Sequence, residues 1–208
     1  SGFSVAMTEL AQPTAVRRTV SFSSAVAEGR ATVEGVTAVL AHGTEEIPSL
    51  LAAGQIPILI DPEGKSVGLL RPCGVVDAIM AKKNTGTSLS DAPVVIALGP
   101  GFTAGRDCHY VIETKRGHDL GRVIREGSAI PNTGVPGEIG GYTKERLLQA
   151  PCEGIFSPAC SIGDLVQAGQ AVGFVGETPL TAAISGILRG ILPAGTPVFP
   201  GMKAGDID

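Results

Sequence analysis

The sequence predicts an α/β domain with a parallel sheet over residues 1–120, followed by a small all-β module over residues 121–208. Up to about residue 120, short apolar segments typical of strands alternate with segments of helical character. Beyond residue 121 helical periodicity fades, and glycine or proline recurs every few residues, as in modules built from short strands. The chain has 208 residues, 43% of them hydrophobic, which is enough for one large or two small folded cores.

The elements of the first domain can be assigned in chain order. Strands are predicted at 3–7, 33–40, 56–60, 94–98 and 110–113, and helices at 21–28, 44–54 and 75–83. Ser21 or Ser23 can cap the first helix and Thr44 the second. Lys82 and Lys83 would close the third helix, where cations complement the helix dipole. This alternation predicts a Rossmann-like sheet.

In the second domain, residues 144–148 form a short helix candidate, and two stretches, 162–170 and 192–201, resemble each other. Each places a loop before an apolar residue, two further residues and a glycine. The pseudo-repeat resembles the barrel-sandwich hybrid of biotinyl and lipoyl carrier domains. Carrier domains present a lysine between the two halves, whereas residues 178–186 contain none. The resemblance therefore implies a barrel-sandwich module that packs against the first domain or a partner.

Composition argues against several functional classes. The net charge of −4 is unlike the basic surface of a nucleic-acid-binding protein. No apolar run reaches the length of a membrane span, and no secretory signal precedes the first strand. The four cysteines form no Cys-x-x-Cys pair, so we predict free thiols, a cytoplasmic location and no metal site.

A glycine-rich loop follows the predicted strand at 94–98. A strand that runs into glycines and a helix start presents free N–H groups, which can hold a phosphate or another anion. The residues predicted to contact this anion are Gly99, Gly101, Thr103, Gly105 and Arg106. The pattern is neither a P-loop nor a dinucleotide fingerprint, so a tight strand–helix turn without a ligand is the alternative.

Cys108 is the candidate nucleophile. A helix N-terminus and the neighbouring Arg106 would favour its thiolate, which could carry sulfur or selenium. The alternative is a small buried thiol that only fills the core.

Further polar residues follow predicted elements. Arg116 could grip a phosphate, Glu113 could orient it, and His118 could act as an acid or base. Asp77 and Lys82 are further candidate ligand contacts. The alternatives are a Glu–Arg ion pair for the first group and a dipole-stabilised helix end for the second.

Two adjacent arginines, Arg17 and Arg18, follow the first strand and a proline turn. Such a pair could bind an anionic ligand or form a solvated face.

Several stretches together resemble one family. These are Glu9-Leu10 with Pro13 and Arg17-Arg18, then 33–36, 76–84, 99–105, 113–118, 186–190 and 201–208. They are similar to the selenium-dependent molybdenum hydroxylase system proteins, which are bacterial accessory factors. Members of that family usually carry a further N-terminal strand with a glycine-rich loop, which would precede Ser1.

The resemblance implies an accessory factor that partners a selenium-dependent molybdenum hydroxylase. It would bind a phosphorylated molybdenum–pterin cofactor and assist cofactor delivery or insertion of selenium or sulfur, with selenium as the transferred atom. Two alternatives stay open: a Rossmann-type nucleotide-dependent enzyme, and a non-catalytic assembly scaffold for the hydroxylase.

Overall fold

The computed structural model describes residues 2–135 and 137–208. The α-helices in these residues are α1 (Ala25–Glu28), α2 (Ile47–Ala52) and α3 (Lys65–Leu70). Turns of 3-10 helix are Arg18–Val20, Phe22–Ser24, Thr44–Glu46, Leu89–Asp91 and Lys144–Arg146. The strands are β1 (Met7–Glu9), β2 (Arg30–Val33), β3 (Val36–Ala41), β4 (Ile56–Ile60), β5 (Gly74–Asp77), β6 (Val94–Leu98), β7 (Thr103–Ala104), β8 (Tyr110–Ile112), β9 (Val123–Ile124), β10 (Gly127–Ser128), β11 (Leu147–Gln149), β12 (Gly154–Pro158), β13 (Leu165–Val166), β14 (Ala171–Val175), β15 (Thr178–Thr181), β16 (Gly186–Ile191), β17 (Thr196–Val198) and β18 (Lys203–Ile207). Across the described residues, every helix falls short of the length and apolar character that a membrane span requires.

These elements belong to two compact units. The first unit combines the chain up to Pro62 with Glu138–Asp208, and the second unit is Glu63–Gly137. The units are thus divided differently from the predicted domains 1–120 and 121–208, because the chain leaves the first unit and later returns to it.

In the first unit, the N-terminal sheet has the strand order β1-β4-β3-β2. Strands β1, β4 and β3 are parallel, and β2 joins β3 as an antiparallel hairpin. Glu34 and Gly35 form its turn with φ values of 50° and 80°, the left-handed geometry of a tight hairpin. Helix α1 ends at Gly29, whose φ of 78° is typical of a helix C-terminus.

The rest of the first unit consists of two antiparallel sheets, ordered β11-β18-β16-β13 and β15-β14-β12-β17. Their inner residues share one apolar core that contains Phe156, Val172, Leu188 and Ile207. Val16 belongs to the same core, and its carbonyl accepts a hydrogen bond of 2.9 Å from the N–H of Ile191. The N-terminal segment of the chain is therefore bonded to this part of the unit.

In the second unit, the main sheet has the order β5-β6-β8-β9, and β7 pairs with β10. Strands β5, β6 and β8 are parallel, whereas β9 runs antiparallel to β8. Val95, Ala97 and Val111 lie in a buried cluster with Phe102 and Cys108. This sheet places the carboxyl ends of three parallel strands at one edge.

The predicted fold class, a Rossmann-like domain followed by a barrel-sandwich module, is wrong. The parallel strands lie in two separate sheets of four strands, each with an antiparallel edge strand, and the α-helices have only four to six residues. Such helices are too short for the crossovers of a doubly wound sheet. The helix predicted at 75–83 is instead strand β5 and a loop, because Val75 and Val76 pair with β6.

Candidate functional site

Three loops leave the carboxyl ends of β5, β6 and β8 in the second unit. Asp77 pairs in register with Ala97, and Leu98 pairs with Ile112, so the three parallel strands end close together. We define the loop cluster as the residues after these strands: 78–88, 99–102 and 113–121. In open α/β sheets, ligands bind beyond the carboxyl ends of the parallel strands. The loop cluster is therefore the candidate site.

The glycines of the middle loop allow the backbones to approach closely. A Cβ added at Gly101 would lie 2.5 Å from the backbone N and Cα of Lys83, and one at Gly99 would lie 2.7 Å from Oγ1 of Thr114. Both glycines also have positive φ, 82° at Gly99 and 107° at Gly101. Gly99 and Gly101 thus bring the first and third loops against the second.

The predicted helix after the glycine loop is wrong, because Thr103 and Ala104 form strand β7. Several N–H groups predicted to hold an anion have internal acceptors: Gly99 donates to Ile112 at 2.9 Å and Gly105 donates to Cys108 at 2.8 Å. The N–H of Thr103 donates to the carboxylate of Asp107 at 2.8 Å. A helix-type anion cradle is therefore absent from this described loop.

Arg106 has an acidic neighbour. Its Nε and Nη2 atoms each lie 3.0 Å from a carboxylate oxygen of Asp107. This hydrogen bonding lowers the pKa of Asp107 and raises the pKa of Arg106. The charge of Arg106 is thus compensated locally, which weakens its predicted roles toward an anion and toward the Cys108 thiolate.

Cys108 is fully buried in the core of the second unit, next to Val95 and Phe102. Burial, followed by the negative charge of Asp107, raises the pKa of its thiol. The next residue, His109, accepts a hydrogen bond of 3.0 Å at Nδ1 from the N–H of Val95. The helix N-terminus and the free positive charge on which the nucleophile prediction rested are both missing, so the surroundings of Cys108 disfavour the thiolate.

Glu113 is also buried, and its carboxylate binds backbone. One oxygen accepts from the N–H of Lys115 and the other from the N–H of Ile130, each at 2.8 Å. Burial alone would raise the pKa of Glu113, but these N–H donors outweigh burial and lower it. Glu113 therefore holds the third loop in shape, and the alternative of a Glu113–Arg116 ion pair is not among these bonds.

Asp77 has a similar structural role in the first loop. Its carboxylate accepts from the hydroxyl of Thr87 at 2.6 Å and from the N–H of Ile79 at 3.0 Å. The side-chain oxygen of Asn84 accepts from the N–H groups of Gly86 and Thr87, both at 2.8 Å. The sequence analysis missed Thr87, although Asn-Thr-Gly-Thr at 84–87 is a turn signal of this type. It also missed Thr114, which packs against Gly99.

Cationic side chains lie on both sides of the glycine loop. Lys82 and Lys83 belong to the loop that packs on Gly101, and Lys115 and Arg116 follow Thr114, which packs at Gly99. All four are exposed, and within residues 2–135 and 137–208 no carboxylate lies within 4.0 Å of their cationic nitrogens. Lys82 has a left-handed backbone with φ 61°. The loop cluster thus combines a fixed backbone with uncompensated positive charge.

His118 is exposed in the third loop, four residues after Thr114. The described residues contain no group of three or more histidine, cysteine or acidic side chains that could hold a metal ion. The chemistry that this arrangement offers is binding of an anion by side-chain cations.

Comparison with curated proteins gives a match over the full length of the chain. No family model matches the chain. Over all 208 residues the chain is 50% identical to a protein of Escherichia coli (strain K12) named Uncharacterized protein YqeB, and it covers 38% of that protein. The chain thus spans less than half the length of this curated relative.

Two solved structures are similar over part of the chain. One is an aspartoacylase family protein from Mesorhizobium loti, with 22% identity and a TM-score of 0.30, covering 40% of this chain and 32% of that protein. The other is a succinylglutamate desuccinylase/aspartoacylase from Rhodobacter sphaeroides, with 17% identity and a TM-score of 0.30, covering 56% and 45%.

Proposed function

We propose that this chain is part of a cytoplasmic accessory protein that holds a phosphorylated molybdenum–pterin cofactor during maturation of a selenium-dependent molybdenum hydroxylase. The observation that carries the proposal is the loop cluster itself. Three stretches that resemble the family, 76–84, 99–105 and 113–118, are separate in sequence but meet at one sheet edge. A structural role alone would not require the cationic residues that these stretches also supply.

The charge of the loop cluster supports an anionic ligand. Lys82 and Arg116 are exposed on different loops, and their neighbours Lys83 and Lys115 add charge of the same sign. Arginine matches the geometry of a phosphate with its planar fork, and lysine adds a mobile point charge. The buried carboxylates of Asp77 and Glu113 are already bound by hydroxyl or backbone donors. The cofactor phosphate would therefore bind to side chains on the rim of the cluster.

The surroundings of Cys108 favour cofactor delivery over chalcogen transfer by this thiol. A buried thiol with a raised pKa is a poor nucleophile. In this proposal the chain holds the cofactor as cargo, and selenium or sulfur reaches the cofactor from another protein. The contribution of the cluster to maturation is then affinity for phosphate.

The proposal is tested by the molybdenum that the protein retains. The whole protein containing this chain is purified from a selenium-fed host that makes the hydroxylase, and bound molybdenum and phosphorus are measured by elemental mass spectrometry. We expect Arg116→Gln to lower the retained molybdenum at least ~10-fold, which corresponds to about 1.4 kcal/mol of binding free energy.

Arg125→Gln is the matched control. Arg125 is exposed and directly follows β9, whose Ile124 pairs with Val111, the middle residue of β8. Because β9 is antiparallel to β8, Arg125 continues toward the start of β8 and away from the loop cluster. This variant should retain as much molybdenum as the wild type. Wild-type protein without bound molybdenum that still restores hydroxylase activity would instead support an assembly scaffold, and equal retention in both variants would remove the loop cluster from the proposal.

A further inference from the structure

The first unit contains a cavity of about 450 Å³ that is separate from the loop cluster. It lies between the segment at 18–33 and the segment at 158–162. Its volume is within the range of small-molecule binding sites. Hydroxyl and charged side chains make up most of its lining, which favours a polar ligand.

The two adjacent arginines, Arg17 and Arg18, have different surroundings. Arg17 points into an ion network, with its Nη2 2.9 Å from Asp206 and 3.6 Å from Asp208. Arg18 lines the cavity instead, and its Nε donates a hydrogen bond of 3.1 Å to the carbonyl of Ile191. In the part of the chain that the structure describes, no carboxylate lies within 4.0 Å of the Arg18 guanidinium. One bond thus orients Arg18, while its two terminal amino groups remain available to a ligand.

Five residues with hydroxyl side chains line the cavity together with Arg18. They are Thr19, Ser21, Ser24, Thr32 and Ser161. The Ser21 hydroxyl donates to the hydroxyl of Ser23 at 2.9 Å and accepts from the N–H of Ser23 at 3.2 Å, and the Thr32 hydroxyl lies 3.0 Å from that of Thr37. A hydroxyl has two acceptor lone pairs besides its proton, so these groups retain capacity for a ligand.

We infer that this cavity binds a small hydroxylated anion. Its phosphate or carboxylate binds the Arg18 guanidinium, and its hydroxyls bond to the serine and threonine side chains. Glu28, which also lines the cavity, accepts hydrogen bonds from ligand hydroxyls and repels a second anionic group. The inference uses only the first unit and does not depend on the proposed function of the loop cluster.

Three probes test the inference: D-ribose 5-phosphate, D-ribonate and neutral D-ribose. Binding to the full chain is measured by isothermal titration calorimetry. At least one anionic probe should bind at least ~10-fold more tightly than D-ribose, and Arg18→Gln should remove that difference. The stronger of the two anionic probes distinguishes phosphate from carboxylate. Arg189→Gln, an exposed arginine of β16 that does not line the cavity, should bind like the wild type.

Thiol alkylation gives a second measurement. Cys160 and Cys152 are both half-buried. Cys160 lines the cavity and Cys152 does not. The bound anion should slow alkylation of Cys160 and leave Cys152 unchanged. If Arg18→Gln fails to fold, Thr19→Val keeps the arginine and should weaken binding roughly threefold through the lost hydroxyl. The inference would be overturned if neutral and anionic probes bind equally, or if no probe binds at a concentration of about 10 mM. Unchanged affinity in both variants would also overturn it.

Discussion

At the scale of single residues, burial decides what each polar side chain does. Glu113 and Asp77 were predicted as ligand contacts, yet both are buried and hold their own loops. A buried carboxylate must be satisfied by donors, and the nearest donors here are N–H groups and a hydroxyl. The exposed cations Lys82 and Arg116 have no such internal use and stay available to an anion.

The same principle gives a prediction for the four thiols. Cys108 should react most slowly with iodoacetamide at pH 7, and the exposed Cys73 should react first, by at least ~10-fold. Burial raises the pKa of Cys108, so its thiolate is scarce and the reagent has no access. Peptide mass spectrometry over time measures the order. In urea all four rates should converge, and native labelling of Cys108 as fast as Cys73 would restore the nucleophile hypothesis.

At the scale of elements, glycines decide how the loops meet. Gly101 combines a φ of 107° with a Cβ position only 2.5 Å from the backbone of Lys83. Gly105 has a φ of 84°, but a Cβ added there would have no contacting atom within 4 Å. An alanine at Gly105 would have only an unfavourable backbone conformation, whereas an alanine at Gly101 would also collide with the neighbouring loop.

We expect Gly101→Ala to destabilise the protein by about 3 kcal/mol or more, and Gly105→Ala by about 1–2 kcal/mol. Both variants force alanine into a left-handed backbone, but only Gly101→Ala must also displace Lys83. Urea unfolding followed by circular dichroism gives both free energies of unfolding. Equal losses in the two variants would show that the loop carrying Lys83 moves aside freely.

At the scale of the whole molecule, ion pairs join distant parts of the chain within the first unit. Arg17 binds Asp206, 189 residues away, and Lys203 lies 2.9 Å from the same carboxylate. Arg146 is paired with Asp208. Burial by itself would raise the pKa of Asp206, but hydrogen bonds from Arg17 and Lys203 outweigh it and lower the pKa. The network therefore needs the ionised carboxylate.

Asp206→Asn should destabilise the protein by about 1–3 kcal/mol at pH 7, because the partly exposed cations of Arg17 and Lys203 lose the buried carboxylate and Arg17 keeps only its longer contact with Asp208. A lowered folded-state pKa gives stability that is fully present above the unfolded value of about 3.9 and is lost as the pH falls through the folded pKa. The difference between wild type and variant should therefore stay constant from pH 7 to about pH 5 and shrink below about pH 4, as measured by urea unfolding.

Glu153→Gln is the matched control, because Glu153 is an exposed acid of the same unit. Its free energy of unfolding should follow that of the wild type at every pH. A difference between wild type and Asp206→Asn that stays constant down to pH 3 would show that the ion pair does not set the stability.

The local features of this protein could be predicted from its amino-acid sequence. Strands at 94–98 and 56–60, the helical segment that Ser21 caps and the turn at Gly29 follow from neighbouring residues, because capping, φ preference and apolar alternation act over a few positions. Long-range packing determines which strands share a sheet, makes Val75 and Val76 extended, and buries Cys108. It also separated Arg17 from Arg18 and brought Lys83 against Gly101. These outcomes depend on strand pairing and burial between residues far apart in the chain. The free energy of such contacts cannot be inferred from neighbouring residues alone.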